Sequence, residues 1–150
     1  MAAPPGERYT VLLVDDNPAL LKALTITLEA LGNFTVINAE DGVEGLTQFF
    51  TVQPDCVVID VKMPGLNGYQ LVQAFRGDPD SASTPLIILT ALAQERDQFA
   101  GMAVGADAYL VKPVKPQDLA AAIRQAIATS KAERIRLMQE LAEQPPPEGM

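Results

Sequence analysis

Three aspartates follow two apolar runs that lie far apart in the chain. Asp15 and Asp16 come directly after the apolar residues 11–14, and Asp60 comes directly after the apolar residues 57–59. If both runs form neighbouring parallel strands, their carboxyl ends bring three carboxylates to one edge of a sheet. Two unit charges about 4 Å apart repel by roughly 4 kcal/mol at an effective dielectric of about 20, so the cluster persists only if a cation or shared protons offset the repulsion. The pattern predicts a metal site with chemistry at Asp60.

Two more polar residues end predicted strands, and both suit a phosphoryl acceptor at Asp60. A carboxylate nucleophile forms an acyl phosphate, which splits phosphoryl transfer into two steps. Mg²⁺, a hard cation that prefers oxygen ligands, would bridge the acids and neutralise the phosphoryl oxygens. The hydroxyl of Thr90 and the ammonium of Lys112 would stabilise the same oxygens. Because the chain contains no His, His-ligated metal sites and Ser/His/Asp triads are excluded.

The elements that must position these residues alternate along the chain. Apolar runs predict strands near residues 9–14, 34–38, 55–60, 85–90 and 107–111. Helical patterns lie between them: a leucine stripe that ends at Gly32, a helix opened by Asp41, a third from about Asn67 to Gly77, and a less periodic one over about 93–104. Such alternation predicts an α/β fold, a doubly wound five-stranded parallel sheet with helices on both faces and right-handed crossovers.

The fifth predicted helix is unusually long. It starts after Pro116 and runs to about Glu143 without Gly or Pro, roughly 27 residues or about 40 Å. A compact domain needs only part of that length, so the remainder is expected to form an arm, which the prolines at 145–147 end. We predict that the arm supports a homodimer, with four candidate contacts: Ile127, Ile135, Met138 and Leu141. The alternative is a frayed, solvated helix, because Lys131 and Arg134 interrupt the heptad.

Composition narrows the classes of partner. A formal charge of −8 over 150 residues argues against a nucleic-acid surface, which needs clustered Lys and Arg. No apolar stretch approaches the roughly 20 residues of a membrane span, and the first six residues lack the features of a signal peptide. The single Cys56 lies within an apolar strand and is expected to be a small core residue. A cytoplasmic protein is expected.

Four motifs resemble the receiver domain of bacterial two-component response regulators, in that family's order and spacing, over about residues 8–128. Any one of the motifs is weak evidence, but the four together are highly specific. They are Val14-Asp15-Asp16-Asn17, Ile59-Asp60-Val61-Lys62-Met63-Pro64-Gly65-Leu66-Asn67-Gly68, Leu89-Thr90-Ala91 and Gly105-Ala106-Asp107-Ala108-Tyr109-Leu110-Val111-Lys112-Pro113.

The resemblance implies a flavodoxin-like sheet with strand order 2-1-3-4-5 and phosphorylation at Asp60. The donor would be a sensor histidine kinase or a His-phosphotransfer protein. Asp16, Asp60 and the backbone carbonyl of Lys62 would bind Mg²⁺ directly, and Asp15 would act through a bound water. By the same resemblance, the domain would catalyse its own phosphorylation and dephosphorylation and would not be an enzyme for other substrates.

The resemblance also implies how the signal leaves the site. Thr90 and Lys112 would contact the phosphoryl group. The Lys112–Pro113 peptide would be cis, a form that has a low free-energy cost only before proline. Tyr109 occupies the aromatic switch position, whose ring turns inward when Thr90 is drawn to the phosphate. The face formed by the fourth helix, fifth strand and fifth helix would then bind an unknown downstream protein target.

The expected organisation is a disordered N-terminus over 1–7, a receiver domain over 8–128, and a helical extension with a Pro-rich tail over 129–150. No segment resembles an output domain, so the chain is either a single-domain regulator or an excised receiver, with no direct nucleic-acid or membrane partner. Two other functions are alternatives. One is a degenerate receiver used as a docking or dimerisation scaffold. The other is an aspartate-nucleophile phosphatase of the haloacid dehalogenase kind, which needs a second Asp where this chain has Lys62.

Two residues beside the predicted site could set the lifetime of the phosphoryl group. Lys62, two residues after the acceptor, could cover the phosphoryl group or the path of the attacking water. Leu92, two residues after Thr90, offers no polar group to position that water. These residues predict slow spontaneous loss of phosphate; the alternative is that both are ordinary residues at the edge of the sheet.

Overall fold

Strands and helices alternate along residues 8–143, the part of the chain that the computed structural model describes. The strands are β1 (Tyr9–Val14), β2 (Phe34–Ala39), β3 (Cys56–Ile59), β4 (Leu86–Thr90) and β5 (Ala108–Val111). The helices are α1 (Pro18–Ala30), α2 (Gly42–Val52), α3 (Gly68–Gly77), α4 (Glu95–Ala103) and α5 (Pro116–Glu143). All strand pairs are parallel, in the order β2-β1-β3-β4-β5. The predicted doubly wound, flavodoxin-like fold is confirmed.

Local sequence explains where the helices begin. Pro18 opens α1, where its missing N–H costs nothing, and the Asn17 side chain accepts hydrogen bonds from the amides of Ala19 and Leu20, at 3.1 and 3.2 Å. Asp41 caps α2 in the same way. α3 begins with a reciprocal capping box between Asn67 and Gln70. These caps start each helix directly after the loop that leaves the carboxyl end of a strand.

The sheet separates two hydrophobic layers, because successive side chains of a strand point to opposite faces. On one face, Val11 and Leu13 of β1 pack with buried residues of α1 and α5. On the other face, Leu12 and Val14 pack with buried residues of α2 and α3. Cys56 is fully buried, as expected for a core residue, and burial is the main cause that raises the pKa of its thiol.

α5 has two halves with different surroundings. Its first half is part of the core through Leu119, Ile123 and Ile127. Ile127 is only 4% exposed, so we remove it from the predicted dimer contacts: its side chain already packs within its own domain. In the second half, Ile135 and Leu141 are 57% and 66% exposed.

Three parts of the prediction fall outside what the structure describes. The proposed disordered residues 1–7 and the Pro-rich residues 144–150 lie outside the described range, and so does the side chain of Met138. The boundary at residue 128 between the receiver domain and the extension stays a prediction. Over residues 8–143, none of the helices combines the length and the apolar character needed to cross a membrane.

Candidate functional site

The acidic site lies where β1 and β3 end side by side. Val14 is paired with Ile59, so the next residues, Asp15 and Asp60, leave the sheet at the same level. The amide of Asp60 donates to the carbonyl of Val14 at 2.9 Å, which fixes the two strand ends to each other. One carboxylate oxygen from each of Asp15, Asp16 and Asp60 lies within 4.8 Å of the others. The fold therefore brings together the three acids that the sequence singled out.

Lys112 supplies a positive charge between two of these acids. Its Nζ lies 2.7 Å from Oδ2 of Asp15 and 3.3 Å from Oδ2 of Asp60. Both aspartates are buried, whereas Asp16 is exposed. Burial lowers the pKa of Lys112, but the hydrogen bond to Asp15 and the charges of both carboxylates outweigh it, and the net effect raises the pKa. Lys112 therefore stays protonated at neutral pH, and its ammonium pairs with two of the three clustered carboxylates.

The loop between β3 and α3 fits closely around the backbone of Asp60. Gly65 has φ +76°, a conformation that glycine adopts without strain. The amide of Gly68 donates to the carbonyl of Val61 at 3.0 Å. A Cβ added at Gly68 would lie 2.4 Å from the carbonyl oxygen of Asp60, so this close approach requires glycine. The start of α3 is thus held directly against the candidate phosphoryl acceptor.

Thr90 and Tyr109 lie on the neighbouring strands. Thr90 is fully buried at the end of β4, and its carbonyl accepts a hydrogen bond from the amide of Lys112 at 2.8 Å. The Tyr109 hydroxyl donates to the carbonyl of Leu92 at 2.8 Å. Burial, followed by the neighbouring Tyr69 phenol, raises the pKa of Tyr109, so its hydroxyl stays a donor. The Lys112–Pro113 peptide is cis in the structure.

The residues that could tune the lifetime of the phosphoryl group lie at the same edge. Lys62 is exposed, and its amide lies 3.4 Å from Oδ1 of Asp60. Leu92 is partly buried and packs against the core layer that contains Tyr109. Lys62 makes no ion pair among the described residues, and the Leu92 side chain is apolar. The substitutions that test the lifetime hypothesis therefore break no ion pair among these residues.

Two residues that the sequence did not mark as functional make long-range bonds. Tyr69, which the pattern placed in the apolar stripe of the third helix, donates its hydroxyl to the carbonyl of Asp97 at 3.1 Å. Arg76, at the end of α3, pairs with Asp107 at the opposite edge of the sheet. For Tyr69, the only local signal in the sequence is its position beside Gly68 at the start of the predicted third helix. For Arg76, the sequence carries no local signal.

The donor set suits Mg²⁺. Its members are carboxylates, and oxygen is the ligand atom that hard divalent cations prefer. Two oxygens on opposite sides of Mg²⁺ are about 4.2 Å apart, since each bond is about 2.1 Å long. The 4.8 Å spread of the three carboxylates is close to that distance. Asp15, Asp16 and Asp60 could therefore hold the ion after small side-chain movements, with Lys112 giving up part of its contact.

Comparison with known families decides the assignment. The model of the response regulator receiver domain matches residues 11–124, which include all the site residues described above. The chain belongs to the response regulator receiver domain family. It is therefore a receiver domain of two-component signalling, a family that works with histidine kinases and generally binds Mg²⁺ in an acidic pocket. Among the described residues, Asp15, Asp16 and Asp60 form a cluster of acids that could hold such an ion.

Individual relatives agree with this assignment. The receiver is 43% identical over 123 residues to "Probable transcriptional regulator ycf27" of Guillardia theta, a match that covers 81% of this chain and 47% of the relative. It is 34% identical over 131 residues to the DNA-binding response regulator MtrA of Mycolicibacterium smegmatis, covering 87% of this chain and 56% of the relative. This chain thus spans about half the length of the curated relatives it matches.

A solved structure shares the fold over nearly its whole length. The chemotaxis protein CheY4 of Vibrio cholerae superposes with a TM-score of 0.74 at 32% identity, covering 79% of this chain and 98% of that one. The receiver fold, including the sheet order, is shared.

Proposed function

We propose that this receiver domain accepts a phosphoryl group on Asp60 from a histidine kinase or a His-phosphotransfer protein, in the presence of Mg²⁺. The observation that supports it is the cluster of Asp15, Asp16 and Asp60, in which the Lys112 ammonium pairs with Asp15 and Asp60. Three carboxylates and one ammonium leave an excess of negative charge. A divalent cation would offset that excess, and an incoming phosphoryl group would then meet both the cation and Lys112.

In the proposed transfer, a carboxylate oxygen of Asp60 attacks the phosphorus atom of a phosphohistidine. A new P–O bond forms while the P–N bond breaks, and the electron pair of that bond returns to the imidazole nitrogen of the donor. When bound, Mg²⁺ supplies positive charge that stabilises the phosphoryl oxygens. Lys112 adds a second positive charge, and the Thr90 hydroxyl donates a hydrogen bond to one of the same oxygens. Hydrolysis of the acyl phosphate by water would reset the domain.

The output of the proposed switch runs through Tyr109. The Tyr109 hydroxyl is bonded to Leu92 in the loop that follows Thr90, so a movement of Thr90 toward the phosphoryl group would disturb this bond. The ring would turn inward and alter the face of α4, β5 and α5. That face would then gain or lose affinity for a downstream protein.

The names of the longer relatives and the charge of this domain bear on whether DNA is a partner. Relatives about twice as long as the match are named as transcriptional or DNA-binding regulators. We propose that, where a receiver of this kind is joined to a DNA-binding segment, phosphorylation controls that segment. Direct contact of this domain with DNA is disfavoured by its formal charge of −8.

The second half of α5 remains our candidate for a homodimer contact. Ile135 and Leu141 are exposed large apolar residues on a helix that continues beyond the core. If they bury each other in a dimer, removal of residues 131–150 should convert the dimer to a monomer, as measured by light scattering. A truncated protein that keeps a dimeric mass would contradict this use of the arm.

Intact mass spectrometry tests the proposed phosphorylation. After incubation with acetyl phosphate and Mg²⁺, the wild type should gain one phosphoryl group, and a chelator should prevent the gain. Asp60→Asn should show no gain. Asp80→Asn, an exposed aspartate on the turn after α3, is the matched control and should behave as wild type. A folded wild-type protein with no gain, or a gain that persists in Asp60→Asn, would refute the proposed site.

A further inference from the structure

α4 is attached to the domain by unusually little buried surface. Gly101 is its one buried residue, whereas α1, α2 and α3 each bury at least 3 residues. Phe99 on the same helix is 76% exposed. With so little apolar burial, polar contacts must account for a larger share of what keeps α4 in place.

Two tyrosine hydroxyls provide such contacts. Tyr109 from β5 donates to the carbonyl of Leu92, in the loop before α4, at 2.8 Å. Tyr69 from α3 donates to the carbonyl of Asp97, in the first turn of α4, at 3.1 Å. Both tyrosine rings are partly buried and pack against the same hydrophobic layer of the core. Together they bond two successive parts of the segment that leads from Thr90 into α4.

The two tyrosines differ in what holds them. Tyr69 follows Gly68, whose backbone lies against the carbonyl of Asp60 so closely that an added Cβ would clash at 2.4 Å. Its backbone is therefore fixed to the phosphoryl acceptor itself. Tyr109 lies against α4, because a Cβ at Gly101 would meet its ring at 2.7 Å. Tyr69 thus follows the backbone that lies against Asp60, whereas the Tyr109 ring packs directly on α4.

We propose that Tyr69 is a positioning residue that holds the first turn of α4 in the unphosphorylated arrangement. The bond between Tyr69 and Asp97 joins the backbone next to Asp60 to the least buried helix of the output face. If the hydrogen bond forms in only one of two arrangements of α4, it raises the population of that arrangement relative to the other. Loss of the bond lowers this population ratio by the same factor. The part of this inference that concerns phosphorylation rests on the function proposed above.

Hydrogen exchange without phosphodonor tests the bond independently of phosphorylation. In Tyr69→Phe, which keeps the ring and removes only the hydroxyl, amides of residues 95–103 should exchange about fivefold faster, the factor expected for one net hydrogen bond. Tyr9→Phe removes a hydroxyl from a tyrosine at the start of β1 and should leave α4 exchange unchanged. Urea unfolding of each variant separates this local effect from a loss of global stability.

The phosphorylation rate provides the second readout. If the arrangement released by Tyr69→Phe is the one that phosphorylation favours, the variant should gain a phosphoryl group from acetyl phosphate about fivefold faster at limiting donor. The rate in Tyr9→Phe should match that of the wild type. A merely structural role for Tyr69 would slow phosphorylation or leave its rate unchanged.

The outcomes separate this proposal from the proposed function. Exchange of α4 that matches the wild type in Tyr69→Phe, or that rises equally in all helices, would overturn the positioning role. Faster exchange confined to α4, with faster phosphorylation, would support it. A wild type that takes up no phosphoryl group would refute the proposed function, while the exchange result would still decide whether Tyr69 holds α4.

Discussion

One edge of the sheet, formed by the amino ends of the strands, carries Arg76 paired with Asp107. The opposite edge, formed by the carboxyl ends, carries Lys112 paired with Asp15 and Asp60. The two edges differ in how their charges are balanced. At one edge, the Arg76 guanidinium donates to the carbonyls of Gly105, Ala82 and Thr84 at 2.9, 3.0 and 2.6 Å. It also donates to Asp107 at 2.9 Å, and the same Asp107 oxygen accepts from the amide of Leu86 at 2.8 Å. This cation therefore ties together the end of α3, the turn before β4 and the turn before β5.

At the other edge, Lys112 is shared between Asp15 and Asp60, and Asp16 makes no ion pair among residues 8–143. The Arg76 guanidinium makes four hydrogen bonds, whereas the acidic edge has more negative charge than its cation balances. We expect the first arrangement to contribute to stability. The second leaves a net negative charge that could bind a further cation.

Replacement of Arg76 should have the largest effect on stability. Arg76→Ala leaves three backbone carbonyls without their charged donor, so we expect the free energy of unfolding to fall by about 3 kcal/mol. Urea denaturation measures the change. The control is Arg136→Ala, which removes only an exposed ion pair with Glu140 and should change stability by less than about 0.5 kcal/mol. A similar small change in both variants would show that the Arg76 edge is not a structural network.

Replacement of Lys112 should affect the rate of phosphorylation more than any other property. We expect Lys112→Met to reduce the rate of phosphoryl uptake from acetyl phosphate by about 100-fold, because one positive charge opposite the phosphoryl oxygens is lost. Affinity for Mg²⁺ should increase, because Lys112 no longer competes for Asp15 and Asp60. Both quantities can be followed on the same samples by mass spectrometry and calorimetry. Weaker binding of Mg²⁺ would mean that Lys112 orients the carboxylates for the ion.

Mg²⁺ itself should stabilise the acidic edge. At ten times its dissociation constant, the ion should raise the free energy of unfolding by about 1.4 kcal/mol if it binds only the folded state. Asp16→Asn should lose this increase and should be no less stable than the wild type in chelator, because repulsion within the cluster is relieved. Thermal unfolding with Mg²⁺ and with chelator compares the two proteins. An equal increase in both would place the ion elsewhere.

The smallest expected effect concerns the lifetime of the phosphoryl group. The double substitution Lys62→Asn and Leu92→Glu places polar groups where they could orient an attacking water. We expect it to speed the loss of phosphate by about fivefold, less than the roughly 100-fold or more of a residue that transfers a proton, because these groups would only orient the water. The decay of phosphorylated protein, followed by intact mass after removal of donor, measures this. Decay no faster than in the wild type would count against the lifetime hypothesis.

Periodicity and spacing determined much of this molecule without reference to its tertiary contacts. Apolar runs placed the strands to within a residue or two, and Asp41 and Asn67 marked where α2 and α3 begin. These features depend on neighbouring residues, which is why a single sequence contains them. The residues of the acidic site were predictable for the same reason, because each ends a strand and parallel strands end at a common edge.

Other features were decided only when distant parts of the chain packed together. The length of α5 was readable, but Ile127 was assigned to a dimer contact and in fact belongs to the core, since periodicity does not say where the domain surface lies. The sequence determined which side chains could meet at the edge of the sheet. Tertiary structure decided that Lys112 bridges Asp15 and Asp60, and that Tyr69 reaches α4, because such bonds join residues 28 to 97 positions apart and depend on packing that no local pattern records.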